Sequence, residues 1–377
     1  MTTAKFFVLA SLGLAVSSSH ASAEPMFLSK QYARCTNCHY SPTGGGLLTP
    51  YGRSLARHEL STLGKALPQN DQEESQEAGL LKQLTGKALG SLDIGFDLRP
   101  AHLNLNFGGV ASTSRRLLMN ADLLAAYRVN GWTLYGEVGR QPLRDGLKIG
   151  SYEYWVGHQA DNGVGVRVGR FLPAYGLRLA DHTAFTRRQL GLDTYDQVYA
   201  LELSYTTDRQ LLQVTVGPGR ADSIIHHNGR QAFTTTARLQ TDLTTRSTLV
   251  LSGRFHAAAS LEPRSADTGA AFGFAPAPRL TIWTEGDAGF RQGSQGAPAY
   301  TLLNETAVEV YRGVWVKVSP QLRTVYGNLS GGSLRMVVEA DLLPRTSWNV
   351  DTSYYWDRER LSGFVVKTFL IQLHLYL

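Results

Sequence analysis

The chain has only two cysteines, and both lie in Arg34-Cys35-Thr36-Asn37-Cys38-His39. Two thiols separated by two residues and followed at once by an imidazole suit covalent attachment of a c-type haem. Each thiol can form a thioether to one vinyl group, and the histidine can bind iron from the proximal face. A structural zinc site needs four soft ligands, and no second cysteine pair supplies them. A redox-active dithiol wants a thioredoxin-like βαβ setting, whereas Ser41-Pro42-Thr43-Gly44-Gly45-Gly46 is a turn-rich loop. A plain disulfide stays open in an oxidising compartment. The spacing favours one haem c on Cys35, Cys38 and His39.

A second iron ligand has to come from elsewhere in the chain. Residues 49–64 carry a helix start and stop: Thr49 can cap the first amides, Pro50 fits the first helical position, and Gly64 can close the last turn. Tyr51, Leu55 and His58 then fall at i, i+4 and i+7 on one face. His58 is therefore the first candidate for the distal ligand, which makes His39 and His58 the candidate metal ligands. Met26 is the alternative, with a barrel residue or an open site as the third possibility.

Residues 1–23 read as a secretory signal, with Lys5 before a short apolar run and Ala21-Ser22-Ala23 as the cleavage site. The apolar run is too short to cross a membrane as a helix. Export and the haem motif support one another, because c-type haem is attached after translocation in bacteria. Charge is mildly positive, with Lys+Arg 37 against Asp+Glu 31. No lysine-rich block or aromatic-basic repeat points to nucleic acid. Residues 24–65 form the haem segment, whose length of about 42 residues sits near the limit for folding without a cofactor or outside packing. Residues 66–90 read as a polar linker, because Gln69 to Glu77 is too poor in apolar side chains for a core.

From residue 91 to 377 the pattern is all-β. Alternating segments rich in Val, Leu, Tyr, Trp and Thr run between Gly, Asn, Asp and Pro clusters. Sixteen segments are predicted, at roughly 91–107, 115–129, 131–141, 150–160, 163–171, 197–207, 209–217, 231–242, 245–258, 267–276, 279–290, 302–312, 314–325, 333–343, 346–357 and 363–377. Tight links such as Asn130-Gly131, Asp161-Asn162-Gly163, Thr207-Asp208 and Arg312-Gly313 alternate with longer connections, the longest at about 172–196. That asymmetry predicts an even-stranded outer-membrane antiparallel β-barrel with short periplasmic turns, its first strand rising into a long external loop. Phe369, Ile371, Leu373, Leu375 and Leu377 are expected to face lipid, and Gln372, His374 and Tyr376 the interior. A soluble sandwich is the lesser reading.

Cys35-Thr36-Asn37-Cys38-His39-Tyr40-Ser41-Pro42 followed by Leu48-Thr49-Pro50-Tyr51-Gly52-Arg53 resembles the N-terminal signature of fused monohaem cytochrome-porins of bacterial outer membranes. The matching motif covers about twenty residues; the rest of the likeness is architectural. The resemblance implies a haem-bearing segment before a barrel of about sixteen strands. The best-known members of that family oxidise extracellular Fe(II). Ser54 to Leu60 departs from the aromatic, basic and glycine pattern of those members, so haem ligation carries over while the donor stays open.

One haem is much shorter than the apolar band of about 25 Å around a bacterial barrel, so it cannot link the two faces from outside the membrane. The haem segment is therefore expected on the periplasmic side or inside the barrel, where a long loop could meet it. The loop from Phe171 to Asp196 mixes carboxylate, imidazole, guanidinium and phenol groups, among them His182, Asp193, Tyr195 and Asp196. These could recognise a metal or haem propionates, or simply brace a porin constriction. The histidines of Ile225-His226-His227-Asn228 form a second, weaker candidate for metal binding.

Two functions fit these features. One is an outer-membrane electron conduit, a possible cytochrome oxidoreductase, passing electrons between an extracellular redox substrate and a periplasmic carrier such as a soluble c-type cytochrome. The other is a transport porin whose haem segment is a sensor or plug.

Overall fold

The computed structural model describes residues 25–56, 91–143, 146–151, 153–190, 192, 196–220, 232–258, 264–293, 297–345 and 348–376. The strand segments are β1 (Leu92–Phe107), β2 (Ala111–Val129), β3 (Trp132–Leu143), β4 (Gly146–Gly150), β5 (Tyr154–Gln159), β6 (Val164–Phe171), β7 (Val198–Thr206), β8 (Gln210–Arg220), β9 (Ala232–Thr244), β10 (Ser247–Ala258), β11 (Ser265–Ala277), β12 (Leu280–Arg291), β13 (Ala299–Tyr311), β14 (Val314–Val325), β15 (Asn328–Arg345), β16 (Trp348–Glu359) and β17 (Val365–Tyr376). Each pairs antiparallel with its neighbours. β1 pairs with both β2 and β17, which closes the sheet into a barrel without a free edge. β4 and β5 lie end to end against β3, so the seventeen segments make sixteen staves.

Alternation explains why these residues make a barrel. Along β7, Val198, Ala200 and Glu202 are buried in the lumen, while Tyr199, Leu201, Leu203 and Tyr205 are exposed on the outside. An exposed apolar stretch flanked by tyrosines recurs on β13, with Tyr300 and Leu302 toward one end and Val308, Val310 and Tyr311 toward the other. Such an outward band with aromatic edges is stable only against hydrocarbon. On β17, Phe369 and Ile371 lie on the exposed face and His374 is buried, as the alternation predicts.

The tight turns form where the residue types demand them. Asn130 and Gly131 both take positive φ, the conformation of a two-residue hairpin turn whose twist suits the flanking strands. At the other end the loop-length rule needs correction. The first strand does not rise into a long loop: β1 and β2 are joined by Gly108–Val110 alone, because Ala111 to Leu117 continue the ladder opposite Phe107 to Ala101. β14 and β15 are joined just as tightly, with Tyr326 and Gly327 between them. Strand pairing carries on past the apolar band there, so sequence that looked like loop is hairpin.

Candidate functional site

Residues 25–56 sit inside the barrel, at the end that carries the short turns. The segment contains three cations and no acidic residue, and each cation meets a carboxylate on a different part of the wall. Lys30 Nζ lies 2.5 Å from Glu309 on β13, Arg34 Nη2 2.7 Å from Asp242 on β9, and Arg53 Nη2 2.7 Å from Asp93 on β1. Arg34 also donates to the carbonyls of Thr207 and Asp208 in the β7–β8 turn, at 2.7 and 2.9 Å. Tyr40 donates its hydroxyl to Asp93, and Ser41 Oγ donates to Glu153 at 2.7 Å.

Apolar packing seats the same segment. Met26 joins Ala307, Trp315 and Leu343; Leu28 joins a cluster around Trp283, Val250 and Leu303; Tyr40 and Leu47 join Tyr135, Trp155 and Phe171. Met26, Leu28 and Leu47 are each about 1% exposed. Their burial contributes on the order of 5–9 kcal/mol to docking, taking roughly 1.5–3 kcal/mol per side chain. A segment too small for a core of its own thus uses the lumen wall as its core.

The cysteine motif is a short 3-10 turn, Cys35–Asn37, with the amides of Cys38 and His39 both donating to the Cys35 carbonyl at 3.1 and 3.0 Å. The chain then folds back through the glycine loop, and His39 pairs with Leu48 in an isolated antiparallel bridge. Gly46 takes φ +61° with its Cα against the Tyr135 hydroxyl, where a Cβ would fall 2.0 Å from that oxygen. The looseness of Thr43-Gly44-Gly45-Gly46 is what lets the loop press against the wall.

Thr49 caps the helix Pro50–Leu55, its Oγ1 accepting from the Gly52 amide at 3.0 Å. The buried face is not the one expected. Tyr51 is 56% exposed, whereas Gly52, Leu55 and Ala56 are buried, because Gly52 lies directly on the cysteine turn. A Cβ at Gly52 would fall 2.3 Å from the Cys38 carbonyl oxygen. Gly52→Ala should therefore lift the helix from the turn. Limited proteolysis should cut within residues 25–56 faster while the barrel stays protected, and wild-type resistance would show that the contact tolerates a methyl group.

Cys35, Cys38 and His39 border a cavity of about 1540 Å³ in the lumen. The cavity also follows inward residues of β17 from Val366 through Leu370 to Tyr376, and β1 from Arg99 to Phe107, so it reaches from the N-terminal segment toward the long-loop rim. Its far wall is the connection between β6 and β7. That connection folds inward, with Leu177 N donating to Glu285 at 2.9 Å, Phe185 N to Gln321 at 3.0 Å, and Arg335 Nη1 to the Thr183 carbonyl at 2.8 Å. Arg178 and His182 of this loop border the same cavity as the two thiols.

The residues present fit a covalently bound haem. Both cysteines are free thiols at the cavity wall. Burial pushes the Cys38 thiol up to about 11, with Cys35 adding to the effect, and raises Cys35 as well. His39 is buried beside the backbone of Gly45 and Gly46. Burial, reinforced by Arg178, brings its pKa down to about 4, so the imidazole is neutral at ordinary pH. That is the form that binds a metal.

The other predicted positions divide. Met26 borders the cavity but packs into the Trp315 cluster. His58, Asp193, Tyr195 and the Ile225–Asn228 histidines lie outside the described residues, as do 1–24 and the linker 66–90. Asp196 is buried. Among the described residues no group of three or more His, Cys, Asp or Glu side chains could hold a metal ion. Sequence reading missed Glu309, Asp242 and Asp93 as the seats of the N-terminal segment. Their signal was the complete absence of acidic residues from 25 to 56.

No family model and no curated relative matches the chain. Solved structures do. High-pH OprB of Pseudomonas putida superposes with a TM-score of 0.61 at 9% identity, covering 85% of this chain and 99% of that one. The anion-selective porin of Comamonas acidovorans gives 0.58 at 8% identity, covering 76% and 99%. A loop L8 deletion mutant of Vibrio cholerae OmpT, an outer membrane protein, gives 0.56 at 8% identity, covering 76% and 100%. The chain has the porin-like barrel fold of the bacterial outer membrane.

Proposed function

We propose that the protein is an outer-membrane barrel whose N-terminal plug carries one haem c on Cys35 and Cys38, with His39 as the proximal ligand, as in fused cytochrome-porins. The observation that supports this most is the exposure of all three motif residues to a lumen cavity that runs toward the long-loop rim. When bound, the haem supplies a one-electron couple tuned by its ligands and burial. The chain's part is to hold that couple within the membrane's thickness: the three ion pairs fix the plug, and the inward loop walls the cavity that faces it. The function is then an electron conduit between an extracellular redox substrate and a periplasmic carrier such as a soluble c-type cytochrome.

A second reading, a transport porin with a haem-bearing sensor or plug, draws on the same cavity and on the porins among the structural neighbours. Fold likeness supports this reading more directly than the conduit. One experiment separates them. A membrane-impermeant reductant added to intact cells should change the visible spectrum of the haem at once, with a strain lacking both cysteines as the blank. A spectrum that changes only after the outer membrane is permeabilised would leave the transport reading.

A further inference from the structure

We propose that Arg178, on the inward loop between β6 and β7, holds a propionate carboxylate of the haem carried by Cys35 and Cys38, and so ties the loop from the long-loop side to the plug. The inference rests on the haem reading above and names the residue that completes its pocket. The two lumen insertions share an apolar cluster of Leu28, Leu177 and Leu179, and Arg178 adds a polar link: its Nη1 donates to Thr43 Oγ1 at 3.1 Å, just beyond the cysteine motif. It borders the large cavity with both thiols and His39, and also a smaller pocket with Cys35 and Thr43.

Its remaining donors are unengaged. Nε is buried without a hydrogen-bond partner, and no carboxylate lies within ion-pair distance among the described residues. Glu153, whose charge it feels, is already bonded by Ser41 and Trp155. Of the other arginines bordering the cavity, Arg34 is committed to Asp242, Arg99 to Asp97, Arg238 to the Gly176 carbonyl and Gln240, and Arg335 to Asp357, while Arg115, Arg188 and Arg323 make no hydrogen bond to the plug among the described residues. A half-buried guanidinium with one edge used and the Nε edge spare matches a carboxylate, which takes two parallel N–H bonds. A haem brings two such carboxylates, and Arg178 borders the cavity that would receive them.

The test is the midpoint potential of the purified, haem-loaded protein, read by spectroscopic redox titration in detergent. Arg178→Gln can still donate to Thr43 but loses the charge that favours the reduced, more negative haem. At a fixed ambient potential its reduced-to-oxidised ratio should fall several-fold and up to tenfold, where tenfold is about 59 mV for a one-electron couple. Arg178→Lys, keeping charge without the fork, should fall between the two. Arg188→Gln, which removes a charge from the same cavity away from the cysteine turn, should move the ratio by much less. An unchanged potential in a haem-loaded Arg178→Gln, or an equal shift in Arg188→Gln, would overturn the assignment. So would loss of haem from both Arg178 variants, which would mark the residue as part of the plug's fold. Absence of covalent haem from the parent protein would instead refute the haem reading itself, and haem staining on a denaturing gel reports that separately.

Discussion

A protein in which Cys35 and Cys38 are both alanine should insert as a normal barrel and carry no haem. The expected effect is all-or-none, because the two thiols are the only ones in the chain and a thioether survives denaturing electrophoresis while a coordination bond does not. Peroxidase staining of the gel band should vanish in the double variant and weaken in either single variant, which keeps one attachment point. The barrel should be indifferent. Both side chains are only partly buried, and the plug is held by Lys30, Arg34 and Arg53 and by Met26, Leu28 and Leu47, none of which is touched. Heat-modifiable mobility on the same gel would confirm the folded barrel. A full-strength haem band in the double variant would remove the cofactor from the molecule.

Deleting residues 25–56 behind an intact signal should turn a plugged barrel into an open one. The wall does not depend on the plug for closure, since β1 pairs with β17 over the stretch from Asp97↔Tyr376 to Phe107↔Val366. Planar-bilayer conductance should rise several-fold, with the inward loop left as the constriction. Selectivity should shift toward cations as well, because Glu309, Asp242 and Asp93 would each lose a paired cation and face water in the pore. The lumen carboxylates would tolerate this, being solvated where they were ion-paired. Conductance and reversal potential equal to those of the parent would show that the segment does not occupy the lumen.

Much of the fold was legible because a barrel strand declares itself locally. Its side chains alternate between lipid and lumen, and turn residues such as Asn130-Gly131 have conformational demands that few others meet. All sixteen predicted segments correspond to staves. The errors came where alternation continues beyond the membrane band. At Ala111 to Leu117 the pairing partner, and not the residue types, decides between loop and strand.

The haem proposal draws on contiguous residues alone, because covalent attachment needs only a short motif. Cys35, Cys38 and His39 need only one turn of chain to be brought together. The rest of the site was out of reach. Tyr51 looked like part of a buried stripe at helical spacing, yet the close approach of Gly52 to Cys38 turns the helix so that Tyr51 faces out. Arg34 meets Asp242 across more than two hundred residues, and Arg178 meets Thr43 across 135. Local periodicity fixes which way each strand faces and which residues can hold a cofactor. Which wall carboxylates seat the plug, and which loop residue reaches it, depend on barrel closure bringing distant staves to one lumen, and no local pattern encodes that.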